Sequence, residues 1–163
     1  MDPHYPLAFI LNGARVEHEV SVRTTLADLL RHQIGQTATH VGCEQGSCGA
    51  CTVVVDGRMV RACLIFAIQL EGADIKTSDG FADDALMISL RRAFTERNAL
   101  QCGFCTSGML IAGHDLLSRV AQPGRREIRE KISGNFCRCT GYEAIVDAIW
   151  KVAQEMPDTR AGA

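Results

Sequence analysis

Basic residues are not in excess in this chain: 17 lysines and arginines stand against 19 aspartates and glutamates, for a formal net charge of −2. A protein that follows a nucleic-acid backbone needs a basic face, so nucleic acid is a poor candidate partner. Long apolar runs are missing as well. No stretch approaches the roughly 18 apolar residues of a membrane span. The opening Met1-Asp2-Pro3-His4-Tyr5-Pro6 has neither the basic start nor the apolar stretch of a secretory signal. The expectation is a cytoplasmic chain, unless a partner carries it elsewhere. There is no G-x-G-x-x-G fingerprint and no P-loop lysine motif for a nucleotide. No nucleophile stands beside a plausible base, so substrate bond-making has no evident home on these 163 residues.

What is present is cysteine. Hydrophobic residues make up 47% and charged residues 22%, ordinary for a soluble globular protein of one domain or two small ones, but eight cysteines are many. A disulfide scaffold is usually smaller and carries a secretory signal. Clustered cysteines in a cytosolic chain of this size point instead to metal.

The first half reads as strands around a helix. The apolar run Leu7 to Leu11, the turn Asn12-Gly13 and the alternating Arg15 to Val20 predict a hairpin with Val16, His18 and Val20 on one face. Thr25 to Asp28 looks like a capped helix start. Leu26, Leu29, Leu30 and Ile34 then follow at helical spacing and end at Gly35. After a glycine- and cysteine-rich loop, Thr52 to Val55 and Arg58 to Val60 flank Asp56-Gly57 as a second hairpin, and Ile75 to Thr77 adds a short last strand. The order fits a small mixed sheet crossed by a helix. The polar segment Ser78 to Asp84 reads as a boundary.

Everything beyond that boundary reads as helical. Leu86, Leu90, Ala93 and Phe94 share one face of a first helix, and Met109, Leu110, Leu116 and Leu117 belong to a second that begins near Cys105 or Thr106. A third spans Arg125 to Ile132, and a fourth spans Ala144 to Val152. The residues from Pro157 onward show no apolar pattern and are expected to fray. Cys105-Thr106-Ser107-Gly108 and Cys139-Thr140-Gly141 each lead into a helix. This echo predicts cysteines gathered where positive helix N-termini meet, a suitable place for an anionic thiolate cluster.

Cys43, Cys48 and Cys51 follow C-x4-C-x2-C, with Cys63 eleven intervening residues later. This is the plant-type [2Fe–2S] spacing. Gly42, Gly46 and Gly49 let such a loop curl and bring amides close to sulfur. Zinc sites more often use two separated C-x2-4-C pairs, whereas here three ligands crowd one loop. Cys102 and Cys105 form C-x2-C, and Cys137 and Cys139 the rarer C-x-C. By spacing alone this second quartet stays open between a cluster and zinc. A thioredoxin-like reading of Cys102 and Cys105 lacks the strand-then-helix context. A Rieske centre needs two histidine ligands, yet cysteines already fill eight ligand places, and His4, His18, His32, His40 and His114 are scattered.

Three stretches taken together resemble a known family: Cys43-Glu44-Gln45-Gly46-Ser47-Cys48-Gly49-Ala50-Cys51-Thr52, Gln101-Cys102-Gly103-Phe104-Cys105 and Asn135-Phe136-Cys137-Arg138-Cys139-Thr140-Gly141-Tyr142. They resemble the iron–sulfur small subunit of the xanthine oxidase, or molybdenum hydroxylase, family, and also the small subunit of carbon monoxide dehydrogenase. The likeness runs from about Leu7 to Trp150. It departs at Ser107, where the family often has proline; serine is acceptable at that helix start.

The resemblance implies an α+β chain. A plant-type ferredoxin-like (β-grasp) domain would occupy residues 1–80, and an all-α four-helix [2Fe–2S]-binding domain residues 81–163. It implies two [2Fe–2S] clusters, one on Cys43, Cys48, Cys51 and Cys63, the other on Cys102, Cys105, Cys137 and Cys139. In such enzymes oxygen from water enters a C–H bond, carbon monoxide is oxidised, or, in a reductive branch, electrons run the other way. That chemistry occurs at a molybdenum–molybdopterin centre on a large subunit, and electrons leave for FAD on a medium subunit or for another acceptor. The second cluster is then expected nearest the pterin and the first nearer the exit. Gln101 matches the position that contacts the pterin, and Arg138 either offsets cluster charge or is simply exposed. The competing readings are a stand-alone ferredoxin-like carrier and a two-zinc structural module.

Overall fold

A computed structural model describes residues 3–156. The tail expected to fray from Pro157 onward lies outside the described residues. Strand β1 (His4–Leu11) and strand β2 (Ala14–Ser21) pair antiparallel across Asn12-Gly13, whose φ values of 52° and 85° make the turn that matches strand twist. The strand is longer than the apolar run that announced it, because His4, Tyr5 and Pro6 also pair with β2. Pro6 is tolerated there: on its other edge β1 pairs with β5 at Ile10 and Leu11, well beyond Pro6.

Thr25 caps helix α1, accepting from the Asp28 amide at 3.1 Å and donating its hydroxyl to the Asp28 carboxylate at 2.8 Å. The helix runs as α over Leu26–Asp28 and then widens to π winding over Leu29–Ile34. It stops at Gly35 (φ 83°), which accepts the left-handed conformation without strain. Arg31 leaves this widened turn and donates to the carbonyls of Thr37 and Thr39, at 2.7 and 2.6 Å. That clamp fixes the chain as it enters the first cysteine loop.

Strands β3 (Thr52–Val55) and β4 (Arg58–Arg61) form the second hairpin, and β5 (Asp74–Lys76) closes the sheet. The order is β2-β1-β5-β3-β4, with β1 and β5 parallel and the remaining pairs antiparallel. Alternation places Leu7, Phe9 and Leu11 on the buried face, against Leu26, Leu29 and Leu30 of α1 and Val53 and Ile75 of the sheet. The sheet-and-helix expectation is met in this half.

Asp84 caps helix α2 (Ala85–Glu96) through the Met87 amide at 2.8 Å. Helices α3 (Thr106–Arg119), α4 (Arg125–Ile132) and α5 (Glu143–Glu155) follow, giving the four helices expected. Met87, Leu90, Ala93 and Phe94 of α2 enter a second core with Met109, Leu116, Ile128, Ile145 and Ile149. Leu86, expected on that buried face, is only partly buried, and Met87 takes the inward position. Among the described residues no helix is long and apolar enough to cross a membrane.

The two cores meet at Met59 of β4, which packs against the helical core, and through polar contacts with the backbone. Asn135 is 2% exposed, and its amide donates to the Gly49 carbonyl at 3.0 Å. The Phe136 amide donates to the Cys48 carbonyl at 2.7 Å. Arg61 reaches from β4 to the Gly134 carbonyl at 2.7 Å and also hydrogen-bonds the Thr52 hydroxyl.

Candidate metal centres

None of the eight cysteines is in a disulfide, and spacing divides them into two sets. In the first group Cys51 and Cys63 are buried, whereas Cys43 and Cys48 are half-buried on the loop. The amides of Cys48 and Gln45 both donate to the Cys43 sulfur at 3.4 Å. With the Ser47 hydroxyl and the Cys48 thiol adding to them, they hold the Cys43 thiol down at about 6. Cys51 is the opposite case. Burial pushes it up to about 11, although the Cys63 amide works against the shift, while the thiols of Cys63 and Cys48 reinforce it.

The loop reaches this shape through two glycines with positive φ, Gly46 at 76° and Gly49 at 74°. At Gly49 a Cβ would also lie 2.5 Å from the Gly134 carbonyl oxygen, so a side chain fails there twice over.

The second group joins two segments. The Cys139 thiol donates to the Cys102 sulfur at 3.6 Å, and this contact, first of several causes, raises its pKa. Burial, with the Cys137 thiol beside it, pushes Cys105 up to about 12. Burial also acts to raise Cys137. The Thr140 hydroxyl at 3.1 Å and the amides of Thr140 and Cys139 outweigh it and leave that thiol below its ordinary value. Cys105 occupies the N-cap of α3, where the helix dipole favours a thiolate. Cys102 and Cys139 are exposed, so this group opens onto the surface.

Within each group the sulfurs meet in pairs: Cys43 with Cys48, Cys51 with Cys63, Cys102 with Cys139, and Cys105 with Cys137. Among the described residues no three His, Cys, Asp or Glu side chains form a group that could hold one metal ion. A tetrahedral metal with bonds of about 2.3 Å to sulfur holds two thiolates about 3.8 Å apart. The 3.6 Å between Cys102 and Cys139 fits two ligands of one such metal. Paired thiolates, amides aimed at sulfur and a helix N-terminus together suit a two-metal cluster.

Gln101 is exposed at the edge of the second group, where its amide donates to the Cys139 carbonyl at 3.0 Å. Arg138 is exposed. The histidines are dispersed, as expected: His18 meets the Glu19 carbonyl, His114 meets Asp84 at 3.1 Å, and His40 stacks on Phe104 with centroids 4.8 Å apart. Two supporting residues escaped the sequence reading. Tyr142, in a left-handed conformation (φ 69°), accepts the Cys137 amide on its hydroxyl at 2.9 Å, and Thr140 donates to the Cys137 sulfur. Their only sequence signal is their place directly after the C-x-C pair.

Residues 9–80 match the family model of a 2Fe-2S iron-sulfur cluster binding domain, and residues 77–150 match that of a [2Fe-2S] binding domain. The caffeine dehydrogenase subunit gamma of Pseudomonas sp. (strain CBB1) is 46% identical over 150 residues, covering 90% of each chain. The nicotine 6-hydroxylase small subunit of Paenarthrobacter nicotinovorans is 47% identical over 139 residues, covering 85% of this chain and 84% of that one. Among solved structures, a chain of quinoline 2-oxidoreductase from Pseudomonas putida 86 superposes with a TM-score of 0.88 at 44% identity, covering 93% of this chain and 94% of that one.

Proposed function

The chain belongs to the iron–sulfur subunits of the xanthine oxidase family of molybdenum hydroxylases, and from that premise we propose how its residues serve as the electron relay of such an oxidoreductase complex. Cys43, Cys48, Cys51 and Cys63 hold one [2Fe–2S] cluster within residues 1–80. Cys102, Cys105, Cys137 and Cys139 hold the other within residues 81–163. The observation that carries this reading is the pairwise meeting of the sulfurs, which gives each of two metals its own two thiolates. When bound, such clusters supply one-electron reduction and reoxidation.

The chain's own residues supply the connection between them. Cys48 lies in the first group and Phe136 directly precedes Cys137 of the second. One hydrogen bond of 2.7 Å, from the Phe136 amide to the Cys48 carbonyl, completes an otherwise covalent link between ligands of the two groups. The exposed Cys102 and Cys139 edge, with Gln101 beside it, suits contact with a pterin-bearing partner. By that assignment electrons enter at the second group and leave through the loop around Cys48. The partners are a molybdopterin-binding large subunit and an FAD-binding medium subunit, and the complex is cytoplasmic.

Tagged full-length chain, purified from its host with whatever accompanies it, tests the proposal. The expected result is co-purification with a molybdenum-containing chain and a flavin-containing one. A lone stable monomer with reversible redox activity would instead favour the stand-alone carrier.

A further inference from the structure

Asn135 is a buried polar side chain (2% exposed) between the two cores, and the backbone crowds it at Gly49 and at Gly108. Its amide donates to the Gly49 carbonyl at 3.0 Å. A Cβ on Gly49 would sit 2.7 Å from the Asn135 amide nitrogen, and one on Gly108 would sit 2.9 Å from it and 2.3 Å from the Gly49 carbonyl oxygen. The first turn of α3 therefore presses directly on the backbone of the first cysteine loop, with Asn135 wedged beside both.

Each of these three residues lies close to a cysteine of the quartets. Gly49 adjoins Cys48, Gly108 is in the first turn after Cys105, and Asn135 is two residues before Cys137. Around them, Thr52 donates its hydroxyl to the same Gly49 carbonyl at 2.6 Å, and Arg61 ties Thr52 to the Gly134 carbonyl. Among the described residues, Asn135 supplies the side-chain hydrogen bond that reaches the Gly49 carbonyl from the helical half. Nothing in holding either quartet by itself requires a buried asparagine at that place.

We propose that Asn135 is a positioning residue for electron transfer between the two quartets: with Gly49 and Gly108 it fixes how far apart, and in what orientation, the two clusters stand. This rests on the relay reading above. The joint also keeps the short Phe136 to Cys48 hydrogen bond aligned, because Asn135 and Phe136 are neighbours and so are Cys48 and Gly49.

The test is low-temperature electron paramagnetic resonance of the fully reduced complex, which reads both the signal of each cluster and the splitting each imposes on the other. Magnetic coupling falls steeply with distance, so the splitting reports the joint rather than the cores. In Asn135→Asp, which keeps the size but replaces the donor with a second acceptor facing the Gly49 carbonyl, the expected result is two retained signals and a narrowed splitting. Gly108→Ala, which drives α3 away from the loop, should narrow it as well. Arg61→Gln removes the outer tie to Gly134 without entering either core, and it serves if the buried changes lose a cluster; there too the splitting should narrow. Two intact signals with the wild-type splitting in Asn135→Asp, or in Arg61→Gln where it stands in, would overturn the proposal. Absence of two distinct cluster signals from the unaltered complex would instead sink the relay reading itself.

Discussion

Three of the first four cysteines sit on a single loop and the fourth one hairpin later, whereas Cys102 and Cys139, which touch in the second group, are 37 positions apart. The first group is shaped by backbone: left-handed glycines, amides on the Cys43 sulfur, and a buried Cys51 and Cys63 beneath. The second is shaped by side chains and helix ends, with Cys105 at the N-cap position of α3 and Thr140 and Tyr142 holding Cys137. The first is the more buried, with Cys51 and Cys63 inside and Cys43 and Cys48 half-buried, whereas the second opens to the surface at Cys102 and Cys139. A relay needs both conditions, a connection inward and an edge for a partner. The difference therefore follows from function as much as from fold.

The largest expected effect would break the comparison outright. Cys48→Ser should abolish one paramagnetic signal of the reduced protein and spare the other, and Cys102→Ser should do the reverse. Loss of both signals from either change, with the fold intact by circular dichroism, would show that the quartets are not independent. Because cluster binding is coupled to folding, that control matters.

A paired alanine substitution sharpens the contrast between the more buried and the more open site. Gly49 and Gly103 both have positive φ, at 74° and 82°, but a Cβ on Gly103 meets nothing within 4 Å. Gly103→Ala should cost only conformational strain, about 1–2 kcal/mol. Gly49→Ala adds a clash with backbone, for roughly 3–5 kcal/mol in all. Denaturant midpoints read the difference, and equal costs would mean that the Gly49 loop yields easily.

The smallest effect concerns the helical half. Burial favours the protonated form of Asp115, yet Lys131 at 2.6 Å and Arg119 at 2.8 Å hold its carboxyl below the usual range. The unfolded chain takes up that proton at higher pH than the folded one. The stabilisation is therefore complete above about pH 4 and is lost as the pH falls through the lowered folded value. Asp115→Asn should make the acid loss of helical circular dichroism shallower, by an effect of roughly 1 kcal/mol. An unchanged acid profile would show that the ion pair contributes nothing.

Local chemistry makes much of this molecule legible in its sequence. Asn12-Gly13 and Asp56-Gly57 announce their hairpins because both residues must take positive φ. Helix α4 begins and ends where its pattern does, over Arg125–Ile132. The π winding of α1 was not legible, since its i→i+5 bonds, such as that from the Gly35 amide to the Leu30 carbonyl, leave no mark in the apolar spacing. Nor was the parallel pairing of β1 with β5, which joins distant segments through two residue pairs. At the site, spacing gave the identity of the cysteines but not their partners. Cys102 and Cys105 are sequence neighbours, yet each meets a sulfur from the other segment. The contacts of Arg61 and Asn135 across the boundary are equally non-local, and no motif marks them.

Iron and acid-labile sulfide analysis of the purified protein tests the central claim most directly. Two clusters of the [2Fe–2S] type predict about four iron and about four sulfide per chain. Zinc in their place, without sulfide, would contradict it.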